Sequence, residues 1–252
     1  MKTYFNIRYE FDRESVHDRI ARRLEGEGSD YICVSDGVVL SCTRRNAEYL
    51  GVVNGGMFSI CDSSYVPLYI RMLYGEQYEQ YCGSEIFRDI VSSRKYRMMF
   101  LGSSCEVLDG LKENIAEWNP DVADMRFVEL PFLSVEEFDY PSIARMIEED
   151  GADIVFVALG APKQERFMHM LKPHLHHGVM IAVGAVFKFF SGVESSRAPK
   201  WLVEHRLEFL YRIKCEPRKQ LRRCGMIVAT LPGMLLSEWR RKREYRKSAA
   251  QR

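Results

Sequence analysis

The chain has 252 residues, 46% hydrophobic and 28% charged, the balance of a globular protein with a substantial core and not of a disordered or membrane-embedded one. Its net charge of +1 conceals an asymmetry: residues 201–252 hold 14 Lys and Arg against 5 Asp and Glu, a net of +9, and the remainder carries −8. A basic end on an acidic body points to an anionic surface, phospholipid or nucleic acid, or simply to a solvated basic helix. The seven cysteines are odd in number and lack CxxC spacing, so neither a disulfide framework nor a zinc site is favoured. Met1–Glu10 does not read as a signal peptide, and the longest apolar stretch, Met226–Leu236, is too short to span a bilayer and contains Pro232. The expected setting is a reducing cytoplasm, with peripheral attachment to the inner face of a membrane.

Taken in chain order, residues 1–29 show no clean periodicity beyond a helix near Arg13–Leu24. Strands are expected at Tyr31–Val34 and Val38–Cys42, separated by Asp36-Gly37 as a turn, then a helix over Thr43–Gly51 and a strand over Met57–Cys61 ending at Asp62. Pro67–Tyr74 has helical spacing and is stopped by Gly75; Ser84–Val91 reads as a further helix. Strand Arg97–Leu101 runs into Gly102-Ser103-Ser104 and helix Cys105–Trp118, which Asn119-Pro120 terminates. Arg126–Val128 fits an edge strand and Pro141–Glu149 a helix. This alternation predicts an α/β fold, a Rossmann-like parallel sheet sandwiched by helices. A basic helical appendage is expected beyond a boundary near Ser195–Pro199, dividing the chain into a body of residues 1–196 and a segment of residues 197–252.

Residues 153–197 carry the strongest signal. Asp153–Leu159 has the apolar, β-branched composition of a buried parallel strand, and Gly160-Ala161-Pro162 follows it directly. Glycine permits a sharp turn and proline suits a helix start, placing Lys163, Gln164 and Glu165 in a first turn whose free N–H groups attract an anion such as a diphosphate. A second strand, Val179–Val183, ends in Gly184. Two strand-to-glycine junctions in tandem outline one side of a nucleotide crevice.

The phrases GAPKQE (160–165), VGAVFKFFSG (183–192), RAPKW (197–201), LEFLYR (207–212) and EPRK (216–219) resemble bacterial glycosyltransferases of the WecB/TagA/CpsF type, glycosyltransferase family 26. The resemblance extends upstream to CDSSYVP (61–67), YCGSEIF (81–87) and FLGSS (100–104), and covers roughly residues 30–224. It implies transfer of an N-acetylated aminosugar such as N-acetylmannosamine, or of a hexose, from a UDP-sugar to a polyprenyl-diphosphate-linked sugar. It further implies inversion, no metal and no other cofactor. Expected partners are therefore the UDP-sugar, the lipid-linked acceptor and the membrane face, without nucleic acid; a homo-oligomer is compatible with all of these.

In that family an aspartate at the position of Asp62 is the proposed catalytic base. A carboxylate at a strand end, opening onto a cleft, suits removal of a proton from an attacking hydroxyl. Aspartate equally suits capping of the following helix, and Ser63 stands where family members often have glycine. Expected substrate contacts are Gly102, Gly160, Lys163, Gln164, Glu165 and Gly184. Asn46 and Thr43 join them from a segment whose spacing differs from the family phrase. An ordinary loop, cap or solvated role remains open for each. Arg197, Lys200, Arg212, Arg218 and Arg222 are expected to meet the acceptor diphosphate and membrane, since guanidinium groups pair bidentately with phosphate. Asp121 and Asp124 lack the Asp-x-Asp spacing that holds a metal with a nucleotide diphosphate. A non-catalytic phosphate-binding module is the alternative function. A dinucleotide oxidoreductase is disfavoured because no strand is followed by G-x-G-x-x-G.

Overall fold

The computed structural model describes residues 1–193 and 217–250. The boundary expected near Ser195–Pro199, together with Arg197, Lys200 and Arg212, lies outside the described residues.

Eight strands form one sheet: β1 (Lys2–Tyr4), β2 (Ile7–Tyr9), β3 (Asp30–Ser35), β4 (Phe58–Cys61), β5 (Met98–Gly102), β6 (Arg126–Val128), β7 (Ile154–Ala158) and β8 (Val179–Ala182). Their spatial order is β1-β2-β4-β3-β8-β7-β5-β6, with β1 antiparallel to β2 and every other pairing parallel. The α/β reading therefore holds, and Arg126–Val128 is the edge strand its sequence predicts.

Side chains alternate across the sheet as a period of two requires. Ile32, Phe100, Phe156 and Ile181 point to one face, where α1 (Arg13–Leu24) supplies Val16 and Ile20 to the core. On α2 (Gly37–Arg45), α3 (Ala47–Asn54) and α4 (Tyr65–Tyr74), residues Val39, Tyr49 and Ile70 pack on the opposite face against Cys33, Leu101, Val157 and Ala182. The first face is completed by α5 (Gly83–Ser93), α6 (Cys105–Ile115) and α9 (Val186–Ser191), the second by α7 (Tyr140–Asp150) and α8 (Lys163–Leu171). Rings of Phe100 and Phe127 stack at 4.2 Å, and Phe87 meets Phe156 at 4.7 Å. Emptying such a site by Phe→Ala costs about 3–5 kcal/mol.

Three local expectations are corrected. Val38–Cys42 is helical: the Asp36 carboxylate accepts the N–H groups of Val38 and Val39 at 2.8 and 2.9 Å, so Asp36-Gly37 starts α2 and does not turn a hairpin. The helix expected over Thr43–Gly51 is two helices, because Asn46 is extended (φ −135°, ψ 108°) and caps α3 by accepting from the Tyr49 N–H at 2.9 Å. The third concerns the N-terminus, which reads as featureless and yet forms the β1–β2 hairpin. Its turn holds Phe5 and Asn6 at φ 52° and 64°, the left-handed pair of a tight two-residue connection.

The last element, α10 (Pro217–Ala250), lies along α2 and α4. Met234 and Thr230 are buried, and the Thr230 hydroxyl donates to Ser41 Oγ at 2.9 Å. Glu238, also buried, accepts from the Phe5 N–H at 3.1 Å, Tyr74 Oη at 2.7 Å and Arg241 Nη2 at 2.6 Å. The opposite side of the helix exposes Leu221, Val228, Leu236 and Trp239 beside Arg218, Arg222, Arg240 and Arg243. Of the expected interfacial stretch Met226–Trp239, one stripe thus packs on the body and the other faces outward. Among the described residues no helix is long and apolar enough to cross a membrane.

Candidate active site

From β3 and β5 the chain runs outward in opposite directions, to the neighbouring strands β4 and β6. Divergent connections of this kind leave a crevice above the carboxyl ends of the strands between them. Asp36, Asp62, Gly102, Gly160 and Gly184 all stand at those ends.

Asp62 is exposed immediately beyond β4. Its N–H donates to Ser35 O at 3.0 Å, which fixes it beside the end of β3. Oδ1 accepts from the N–H of Gly83, the first residue of α5, at 3.3 Å. The carboxylate thus rests over the positive end of α5, where an anion is stabilised. The helix that follows it in sequence, α4, begins after Ser64 without a side-chain cap.

On the neighbouring strands, Gly102 adopts φ 97°, and a Cβ there would meet Ala158 O at 2.9 Å, so both conformation and space require glycine. The start of α6 is occupied by a carboxylate: Glu129 Oε2 accepts from the Cys105 N–H at 3.2 Å and from Sγ at 2.7 Å. Gly160 and Gly184 adopt φ 76° and 57°.

Gln164 and Glu165 are buried. Gln164 Oε1 accepts from the N–H groups of both Gly160 and Gly184, each at 3.1 Å, and Nε2 donates to Glu165 Oε1 at 3.0 Å. The second Glu165 oxygen accepts from Tyr49 Oη at 3.0 Å. Burial pushes the Glu165 carboxyl up to about 7, despite these hydrogen bonds. Lys163 Nζ donates to Leu133 O and lies 5.3 and 5.1 Å from the ring centres of Phe132 and Phe138.

Asn46 and Thr43 lie at the α2–α3 junction. The first turn of α3 meets α8 through Tyr49 and through a Glu48–Arg166 ion pair of 2.7 Å, which sets exposed Asn46 beside that helix. Thr43 is buried, donates to Leu40 O at 2.9 Å, and lines a cavity of about 300 Å³ with Phe5, Leu40 and Met234. That cavity lies among the hairpin turn, α2, α3 and α10 and is not the strand-end crevice. Arg218 and Arg222 are on the outward side of α10. Asp121 and Asp124 sit in the turn Pro120–Asp124 before β6, the edge strand away from β4 and Asp62.

Sequence reasoning missed three residues of this arrangement. Asp36 reads as a turn residue, and Tyr49 as one aromatic in a short helix. Arg223 is one basic residue among many, yet its Nη2 pairs with Asp36 Oδ2 at 2.7 Å, bringing a cation from α10 to the end of β3. Charge periodicity alone does not single it out.

The model of the glycosyl transferase WecG/TagA/CpsF family matches residues 3–248, from the N-terminal hairpin through most of α10. The chain belongs to that family. This glycosyltransferase is 27% identical over 227 residues to the N-acetylglucosaminyldiphosphoundecaprenol N-acetyl-beta-D-mannosaminyltransferase of Bacillus subtilis (strain 168), covering 86% of the chain and 84% of the relative. It is 25% identical over 178 residues to the protein of the same name from Bacillus spizizenii (strain ATCC 23059 / NRRL B-14472 / W23), covering 69% and 67%.

Proposed function

We propose that this glycosyltransferase moves a sugar of the N-acetylmannosamine type from a UDP-sugar to N-acetylglucosamine linked through diphosphate to a polyprenol. The position of Asp62 carries the reading: a carboxylate at a strand end, over the start of α5, in the crevice that also holds the glycine turns after β7 and β8. The names of the two relatives supply the substrate class.

In this account Asp62 takes the proton of the acceptor hydroxyl as its oxygen attacks the anomeric carbon. The new C–O bond forms on the face opposite the bond to UDP, that bond breaks, and the configuration inverts. The departing diphosphate gains negative charge; in this reading the positive end of the α8 dipole and cations such as Arg223 of α10 offset it, and no metal is needed. The exposed apolar and basic side of α10 rests on the inner face of the membrane, where the acceptor's lipid is anchored. Release of UDP on mixing UDP-N-acetylmannosamine with the lipid-linked acceptor tests the reading. UDP release that does not depend on the acceptor would overturn it.

A further inference from the structure

Gln164 has an amide whose hydrogen-bonding capacity is almost fully committed. Two backbone N–H groups converge on one of its terminal atoms at 3.1 Å each, so that atom is the oxygen, and both of its lone pairs are used. The nitrogen is thereby turned toward Glu165, whose Oε1 takes one of its two hydrogens at 3.0 Å. Glu165 is fully buried and has no path to a ligand of its own. Its other oxygen is held by Tyr49 Oη from α3. A single hydrogen-bonded chain therefore runs from α3 through Glu165 and Gln164 to the turns after β7 and β8.

We propose that Glu165 is a positioning residue: it orients the Gln164 amide so that the oxygen locks the Gly160 and Gly184 turns together. One N–H remains for the substrate, so the ligand atom met by Gln164 is a hydrogen-bond acceptor, a phosphoryl or acetamido oxygen of the donor, and not a hydroxyl that must donate. The arrangement works whether or not Glu165 is ionised, because Tyr49 can donate to a carboxylate or accept from a carboxylic acid while Oε1 continues to accept from Gln164. Without an acceptor at Glu165 the amide loses the partner that fixes its orientation. A reversed amide would set an NH₂ group against two N–H donors and release both turns.

The ligand half of this inference rests on the UDP-sugar reading; the positioning half rests on hydrogen bonds within the chain. The test compares wild type, Glu165→Gln and Glu165→Leu in the full chain, with UDP as the binding probe and thermal unfolding as the control for folding. Glu165→Gln retains a carbonyl that can accept from Gln164 and should bind UDP within about threefold of wild type. Glu165→Leu, similar in shape but without an acceptor, should weaken UDP binding by about tenfold or more and lower kcat, with faster amide exchange at Gly160 and Gly184. In wild type, one Gln164 side-chain proton should exchange slowly and the other only after UDP is added. Folded Glu165→Leu with wild-type affinity and unchanged glycine exchange would overturn the proposal. Should Glu165→Leu fail to fold, solvent-rate exchange of both Gln164 protons in wild type would overturn it equally. Wild type that binds no UDP would defeat the donor reading instead, and the glycine and Gln164 exchange rates would still decide the positioning role.

Discussion

At the scale of single residues, Asp62 and Glu165 show how environment separates two carboxylates, one exposed at a strand end and one fully buried. Asp62 is exposed and supported by a helix N-terminus, the setting of a group that works ionised. Asp62→Asn keeps the shape and loses basicity; kcat should fall about 10²–10⁴-fold with UDP-sugar affinity nearly intact, measured by steady-state kinetics beside equilibrium binding. Glu165 is buried, and its carboxyl titrates near 7 where an unfolded chain titrates near 4.5. Tyr49 and Gln164 face it directly, and the charge of Asp36 raises it further. Between those two values the unfolded chain has released a proton that the folded chain retains. Stability should therefore fall as pH rises through this window, by at most about 3 kcal/mol, and level off above it. Glu165→Gln should flatten that dependence, which urea midpoints at pH 5 and pH 8 would reveal; equal slopes in both proteins would contradict it.

At the scale of elements, α10 is fastened to the hairpin and α4 by one buried carboxylate. Glu238 accepts the N–H of Phe5, a residue held at positive φ and strained for a side chain of that size. Glu238→Ala leaves that N–H and the Tyr74 hydroxyl without their partner, and should cost on the order of 1–3 kcal/mol in chemical denaturation. The outer side of the same helix predicts a different phenotype. Charging its exposed apolar residues, as in Leu221→Glu with Val228→Glu, should reduce sedimentation with anionic vesicles while thermal unfolding stays within a few degrees of wild type. Raising salt should weaken the same attachment, since each basic residue at such a surface contributes about 1 kcal/mol and is screened. Vesicle binding indifferent to both changes would remove α10 from the membrane surface.

At the scale of the whole molecule, the sheet collects residues from five strand ends into one crevice and leaves Asp121 and Asp124 at the other edge. Activity should accordingly survive EDTA; loss on chelation with recovery on adding magnesium or manganese would show that a metal takes part. The parallel sheet, the helices that follow its strands and the glycine junctions are legible in the sequence because each rests on neighbours: β-branched apolar runs, a glycine at the turn, a proline at the helix start. The family phrases are local in the same sense, and Asp62 and Gln164 stand within them. What sequence reading misses is held from a distance. Val38–Cys42 has strand composition but is helical because Asp36 caps it, and Asp36 is tied in turn to Arg223, far along the chain. The N-terminal hairpin presents its left-handed turn to α10, where Glu238 accepts the Phe5 N–H. Gln164 and Glu165 read as first-turn residues beside an anion site, and only the approach of β8 and α3 buries them and sets which amide atom faces which partner. Short-range pattern determined strands β3 to β8 and the family; long-range hydrogen bonds between buried polar groups, which leave no periodicity in the sequence, decided the orientation of the site.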